Sequence, residues 1–146
     1  MAALFYFQRF TISRYEAFDV HQNLAHKRYI GHHYPMNLDV LRSRDPVPYR
    51  IAHQRQKELH ARRVTGEMSD TLWLLEHPPV ITTGIRRDQE SNILINPAAV
   101  GAEIVETERG GEVTYHGPGQ MVGYLFVGIE NHGFKVKRFV NRLEEA

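Results

Sequence analysis

The chain contains no cysteine in 146 residues. That excludes a disulfide framework, thiolate metal sites and a cysteine nucleophile within the sequence, and says nothing direct about compartment. It also lacks an excess of either charge: 18 Lys and Arg against 17 Asp and Glu leave a net charge of +1. There is thus no electrostatic case for nucleic acid as a partner. No apolar run approaches the ~20 residues needed to span a bilayer, so the sequence reads as soluble, without a membrane partner. The opening Ala2-Ala3-Leu4-Phe5-Tyr6-Phe7 is too short an apolar core for a secretory signal, and Glu16 and Asp19 argue against a mitochondrial transit peptide. What is present, 42% hydrophobic residues in a chain of this length, suits one globular domain.

The most unusual stretch runs from Arg109 to Tyr124, RGGEVTYHGPGQMVGY. Gly110 and Gly111 have no Cβ, so the backbone there can take positive φ and admit close approach. Thr114 and Tyr115 favour extended structure. Gly117-Pro118-Gly119 breaks the strand, because proline fixes φ and donates no backbone hydrogen bond. Met121, Val122, Tyr124 and Phe126 then resume an apolar run. The expectation is strand, corner, strand. Taken alone, Glu108-Arg109-Gly110-Gly111-Glu112 is equally a β-hairpin turn between extended runs. A hairpin, however, has no need of His116 or of Gly117-Pro118-Gly119-Gln120.

Elsewhere the residues predict ordinary elements. Residues 1–40 hold His21, His26, His32 and His33 without a convincing metal-ligand spacing and are set apart as an extension of unknown role. Asp45-Pro46-Val47-Pro48 precedes a helix, with Asp45 as candidate N-cap. Tyr49, Ala52, Gln56 and Leu59 share one face of that helix. His53 and His60 lie about two turns apart, too far to meet at one ion, and are expected to be solvated; the helix should end near Gly66. Thr71–Glu76 reads as a strand covered on both faces. His77-Pro78-Pro79 stops it and Val80-Ile81-Thr82-Thr83 restarts as a second strand. Arg86, Arg87 and Asp88 open a polar loop that could face an acidic partner or only solvent. Asn96 caps a short turn begun by Pro97, and Glu103–Thr107 is a short half-buried strand. Val136, Phe139, Val140 and Leu143 mark a last helix. Glu144 and Glu145 would oppose the dipole at a helix C-terminus, so that helix is expected to run on past Ala146.

The Arg109–Tyr124 string resembles the signature of the lipoyl(octanoyl) transferases, within the wider group of biotin and lipoate protein ligases. Thr71–Leu94, TLWLLEHPPVITTGIRRDQESNIL, is similar to that family's strand and His-Pro-Pro turn, and Tyr49, Ala52, Gln56 and Leu59 match its first helix. The resemblance covers about residues 41–146 and departs from the pattern at Leu125, where proline is usual, and at Ile81 and Thr83.

The resemblance implies an α+β fold, a mixed β-sheet flanked by helices like the biotin/lipoate protein ligase catalytic domain, of which 41–146 would be the N-terminal portion. It implies transfer of an octanoyl group from octanoyl-acyl carrier protein to a lysine of lipoyl domains in 2-oxoacid dehydrogenase or glycine cleavage proteins. No cofactor or metal is implied, and the location would be cytoplasmic, or mitochondrial in a eukaryote. In that family a cysteine thiolate, its pKa lowered by a lysine, attacks the thioester. Neither residue has a counterpart in this chain, so no catalytic residue is assigned and the chain as given is expected to be inactive. The substrate-binding residues carried over are Arg109, Gly110, Gly111, Glu112, Val113, Thr114, Tyr115 and His116. Their glycine amides would polarise a carbonyl. Arg109 would anchor a loop or meet the carrier's phosphate. Thr114 and His116 would orient the thioester, unless His116 is a buried scaffold group, and Tyr115 would serve packing. His77 either lines the acyl pocket or satisfies backbone groups at its turn, the second being preferred. Two other readings compete: an ATP-dependent lipoate or biotin protein ligase, and a non-catalytic module that binds carrier protein or lipoyl domains.

Overall fold

The structure, a computed structural model, describes residues 2–7, 38–85 and 93–144, the first of these for its backbone only. The histidines at 21, 26, 32 and 33, the Arg86-Arg87-Asp88 loop, and Glu145 with Ala146 lie outside the described residues.

Among the described residues, seven strands form two mixed sheets accompanied by two α-helices. The larger has the order β1-β7-β3-β2, built from β1 (Ala2–Phe7), β7 (Val122–Gly128), β3 (Asp70–Leu75) and β2 (Leu38–Arg42). β2 runs parallel to β3, and β7 runs antiparallel to both β3 and β1. Part of the segment set apart in the sequence is therefore integral: Ala2–Phe7 pairs with β7 along its whole length, from Ala2↔Gly128 to Phe7↔Gly123. The smaller sheet, order β5-β4-β6, comprises β5 (Glu103–Glu106), β4 (Val80–Thr83) and β6 (Val113–His116), with β5 parallel and β6 antiparallel to β4. The α+β architecture with helices flanking mixed strands is as expected, with two sheets where one was anticipated.

Alternation along the central strands sorts the core into two layers. Trp73, Leu75, Val122, Tyr124 and Phe126 point to one face, where Ala52 and Leu59 of α1 (Tyr49–Val64) cover them. Leu125 and Val127 point to the other, where Phe139 of α2 (Val136–Glu144) packs with Leu72, Phe134 and Leu143. The large sheet is thus sandwiched between helices, which is why Thr71–Leu75 reads as a near-continuous apolar run.

The helix face read from the sequence is the one that buries: Tyr49, Ala52, Gln56 and Leu59. Its start differs from expectation. Asp45 does not cap it; Pro48 occupies the N-cap without a side-chain bond, at φ −52° and ψ 137°. Pro48 holds Val47 out of the helical region, and the Val47 amide donates to Glu76 O at 2.8 Å instead. The C-terminus matches the expectation: Gly66 at φ +78°, with Gly66 N–H on Arg63 O and Glu67 N–H on Arg62 O, forms a Schellman end. His53 and His60 are half-buried rather than solvated, His53 lying against the Tyr49 ring at 6.0 Å. Asn96 Oδ1 caps a 3-10 turn (Pro97–Val100) by accepting from Ala98 N–H at 3.1 Å. Among the described residues no helix is long and apolar enough to cross a membrane.

Candidate functional site

The glycine pair does not make a hairpin. β5 and β6 flank β4 on opposite sides, so residues 107–112 cross over the end of β4. Three backbone bonds fasten the crossing: Thr107 N–H to Thr83 O at 2.9 Å, Gly84 N–H to Glu112 O at 3.1 Å and Ile85 N–H to Arg109 O at 3.1 Å. Arg109 closes it from within. Its Nη2 donates to Thr82 O at 2.8 Å, Thr82 Oγ1 at 2.9 Å and Glu112 O at 2.9 Å, and its Nη1 to Gly110 O at 3.0 Å. A planar, multiply donating guanidinium can serve several carbonyls at once where an ammonium cannot. Arg109 therefore acts as the loop's anchor.

Gly84 is the glycine this arrangement cannot replace. A Cβ there would stand 2.4 Å from Gly111 O and 2.8 Å from Arg109 O, both rigid backbone atoms. Gly111 needs its positive φ of +83°, whereas a Cβ on Gly110 would meet nothing within 4 Å. The loop is thus pinned underneath by Gly84 and Arg109, and its Gly110 side is open.

Pleating divides the eight string residues between two sides. Thr114 and His116 stand opposite Thr82 and Val80, while Val113 and Tyr115 stand opposite Thr83 and Ile81. The first set faces inward: Thr82 is 0% and His116 1% exposed. The second set lies on the other side, where the edge-strand residues Tyr115 and Ile104 of β5 are 46% exposed while Ile81, between them on the central strand, is 2% exposed. Tyr115 still packs, against backbone: a Cβ on Gly117 would sit 2.4 Å from its hydroxyl. Glu112 and Gly111 are exposed on the crossing.

Beneath the inward side lies a buried aromatic and imidazole cluster. The His116 ring stacks on Tyr49 at 6.2 Å and meets the His77 ring edge-on at 5.6 Å. His77 Nδ1 lies 2.6 Å from Val47 O and its Nε2 2.8 Å from the Tyr124 hydroxyl. A carbonyl only accepts, so Nδ1 carries the proton and Nε2 accepts from Tyr124. His77 thus satisfies a backbone carbonyl, the role preferred from sequence. His116 Nδ1 is bonded to Gln120 Oε1 at 3.0 Å. Burial lowers the pKa of His77 against the opposing Val47 bond, and that of His116 against the opposing Gln120 bond. Both are neutral near pH 7. Burial likewise raises Tyr49, with Arg109 pulling the other way, and holds Tyr124 far above the ordinary phenol range. The cluster consists of neutral, interlocked groups, suited to fixing β6 and unsuited to proton transfer near neutrality.

The corner after His116 is a turn with Pro118 at its second position and Gly119 (φ +83°) at its third, closed by Gln120 N–H on Gly117 O at 3.1 Å. Gly119 N–H also donates to Glu76 at 2.8 Å. The two strands it joins lie in different sheets, β6 in the small one and β7 in the large one. Thr82 and Gly84 were not singled out from sequence. The available signal was a glycine directly after a β-branched strand, which marks close backbone approach.

Comparison with known proteins follows this geometry. Residues 48–146 match the lipoyl protein ligase A/B catalytic domain family. The chain is 51% identical over 101 residues to an octanoyltransferase of Alkaliphilus metalliredigens, covering 67% of this chain and 46% of that protein. It is 50% identical over 103 residues to one of Caldicellulosiruptor saccharolyticus, covering 68% and 43%. It is 46% identical over 112 residues to one of Mycobacterium leprae, covering 77% and 46%. The chain spans about half the length of the curated relatives it matches. The match takes in α1, the His77 turn, the Arg109 crossing and the β6–β7 corner, and the chain belongs to the lipoyl protein ligase A/B catalytic domain family.

Proposed function

We propose that this chain is the substrate-binding portion of an octanoyltransferase, receiving an octanoyl group from octanoyl-acyl carrier protein for transfer to a lipoyl-domain lysine. The observation that carries the reading is the crossing at 109–112: a backbone clamped from below by Arg109, with open space on the Gly110 side. Glycine amides on a backbone held in place can meet a thioester carbonyl without rearranging, which is what stabilises developing negative charge. Val113 and Tyr115 on the outward face, and Thr114 and His116 behind them, complete the carried-over set. In this reading Thr114 and His116 act through β6, holding it in register, because His116 is enclosed by Tyr49 and His77. The attacking sulfur is supplied from outside these residues, since the sequence contains no cysteine.

The test is titration of the isotope-labelled chain with octanoyl-pantetheine, followed by amide NMR. Saturable shifts centred on Gly110, Gly111 and Glu112 are expected, with none on adding ATP. Unchanged amides across 109–112 would overturn the reading, and saturable ATP binding would favour a ligase. A stable octanoyl adduct seen by mass spectrometry would contradict the assignment of the nucleophile.

A further inference from the structure

The turn after β6 carries one hydrogen bond more than its own closure needs. Gln120 N–H on Gly117 O already closes it, yet Gly119 N–H also donates to Glu76 Oε2 at 2.8 Å, across 43 residues of chain. Glu76 is half-buried and directly follows β3 of the large sheet. Its main chain is fastened separately: Val47 N–H donates to Glu76 O at 2.8 Å, and His77 Nδ1–H donates to Val47 O at 2.6 Å. The His77 ring then meets the hydroxyl of Tyr124 in β7 and the ring of His116 in β6, the latter at 5.6 Å. The Glu76-His77 pair is thus a joint. Bracketed to Val47, it holds the large sheet through Tyr124 and the small sheet through His116 and the corner.

β6 needs such a hold. It has four residues and, among the described residues, pairs with β4 alone. Side chains alternate along a strand, so a slip of one residue would turn Tyr115 inward and His116 out. Arg109 fixes the entry to β6, and its exit is fixed by the His116 ring and by Gly119. We propose that Glu76 is a positioning residue for the acyl-binding edge: its carboxylate sets where β6 ends, and so how the backbone of 109–112 is presented. The inference rests on the acyl-transfer reading above and adds to it a residue that acts through the corner rather than on substrate. A carboxylate on a backbone N–H makes a charge-assisted bond, stronger than one between neutral groups. The turn closes without that bond, so its effect falls on the placement of the corner against β3.

The experiment compares the 146-residue chain with Glu76→Ala and Glu76→Gln, by octanoyl-pantetheine affinity, by the amide NMR spectrum without ligand and by urea unfolding. Glutamine keeps an oxygen that can accept from Gly119 N–H, and alanine keeps none. Affinity is expected to fall about tenfold in Glu76→Ala, the worth of one bond to a charged group, and to recover in Glu76→Gln. The amides of Thr114, Tyr115 and His116 should move in Glu76→Ala and return toward their parent positions in Glu76→Gln. Parent affinity in Glu76→Ala would overturn the inference and leave the acyl-transfer reading standing. So would a loss in Glu76→Gln as large as in Glu76→Ala, which would assign the effect to the charge instead of the bond. An equal loss of affinity per unit of lost stability in Phe139→Leu, under α2 on the other face of the large sheet, would also overturn it, because general loosening would then suffice. A parent chain that does not bind octanoyl-pantetheine sinks the acyl-transfer reading, whereas β6 amides unmoved in Glu76→Ala sink the positioning role by themselves.

Discussion

The two sheets are built from similar β-branched and aromatic residues, yet one is closed and the other half open. In the large sheet, helices cover both faces, and β7 is buried at every position. In the small sheet the inward side is as tightly closed, with Val80, Thr82, Val105 and His116 all at 3% exposure or less, while on the other side the edge-strand residues Ile104 and Tyr115 remain 46% exposed and only the central Ile81 is covered, at 2%. The contrast separates labour. The large sheet supplies the stability, and the small one carries the Arg109 crossing outward on a floor fixed from behind.

The largest effect that would sharpen this contrast is expected at Phe126, which is 0% exposed between β1 and β3. Phe126→Ala should cost about 3–5 kcal/mol in urea unfolding; a cost under about 1 kcal/mol would remove the distinction between the sheets. Next comes Asp70, at the opposite end of β3 from His77. Its carboxylate is met by Arg63, by Gly128 N–H at 2.9 Å and by His132. Burial raises its pKa, but the bonds from Gly128, His132 and Arg63 outweigh this and leave it below the ordinary 3.8. Asp70→Asn should cost about 3 kcal/mol at neutral pH, as removing one member of a buried pair does.

The sign follows from linkage. A carboxylate with a depressed folded pKa stabilises fully above its unfolded value and loses that contribution as pH falls through the folded value. The parent and Asp70→Asn curves should therefore converge in acid below about pH 4. An earlier decline should begin below about pH 6.5, where the unfolded chain protonates His77 and His116, which burial keeps neutral in the fold. Parallel curves down to strong acid would show that Asp70 is not the group responsible.

On the small sheet, Gly84→Ala should cost about 1–3 kcal/mol by overpacking and should lower octanoyl-pantetheine binding by more than that loss of stability explains. Equal losses in both measurements would mean that the crossing is scaffold only. The smallest effect is expected at Ile104: Ile104→Ser on the outward face should change stability by no more than about 0.5 kcal/mol. A larger loss would mean that this face is covered in solution.

Local order was legible because it depends on local periodicity. The buried face of α1 follows from 3.6-residue spacing, and its Gly66 end from the need for positive φ. Strand partners were not legible. Nothing in Val113–His116 or Val122–Gly128 indicates that these neighbouring strands enter different sheets, since backbone pairing carries no side-chain label. The role of Arg109 was hidden for the same reason, as three of its four acceptors are main-chain carbonyls. Asp45 looked like a cap because Asx residues before proline usually begin helices, but Pro48 and the Val47–Glu76 bond set the entry instead. His77 was readable as a turn residue, whereas enclosure of His116 by Tyr49 and His77 depends on contacts far apart in the chain. At Leu125, where the resemblance led us to expect proline, the side chain joins Val127, Ile129 and Phe139 in the core under α2.

The four-residue corner from Gly117 to Gln120 has a consequence for how the molecule tolerates change. It is at once the end of the edge that would read the acyl group and the lead-in to the most deeply buried strand, and Glu76 grips it from the far side. Only residues 117–121 separate β6 from β7, and the corner is held by the Gln120–Gly117 and Gly119–Glu76 bonds. In the proposed reading, recognition and folding are coupled through these four residues, so a substitution there would be registered by both.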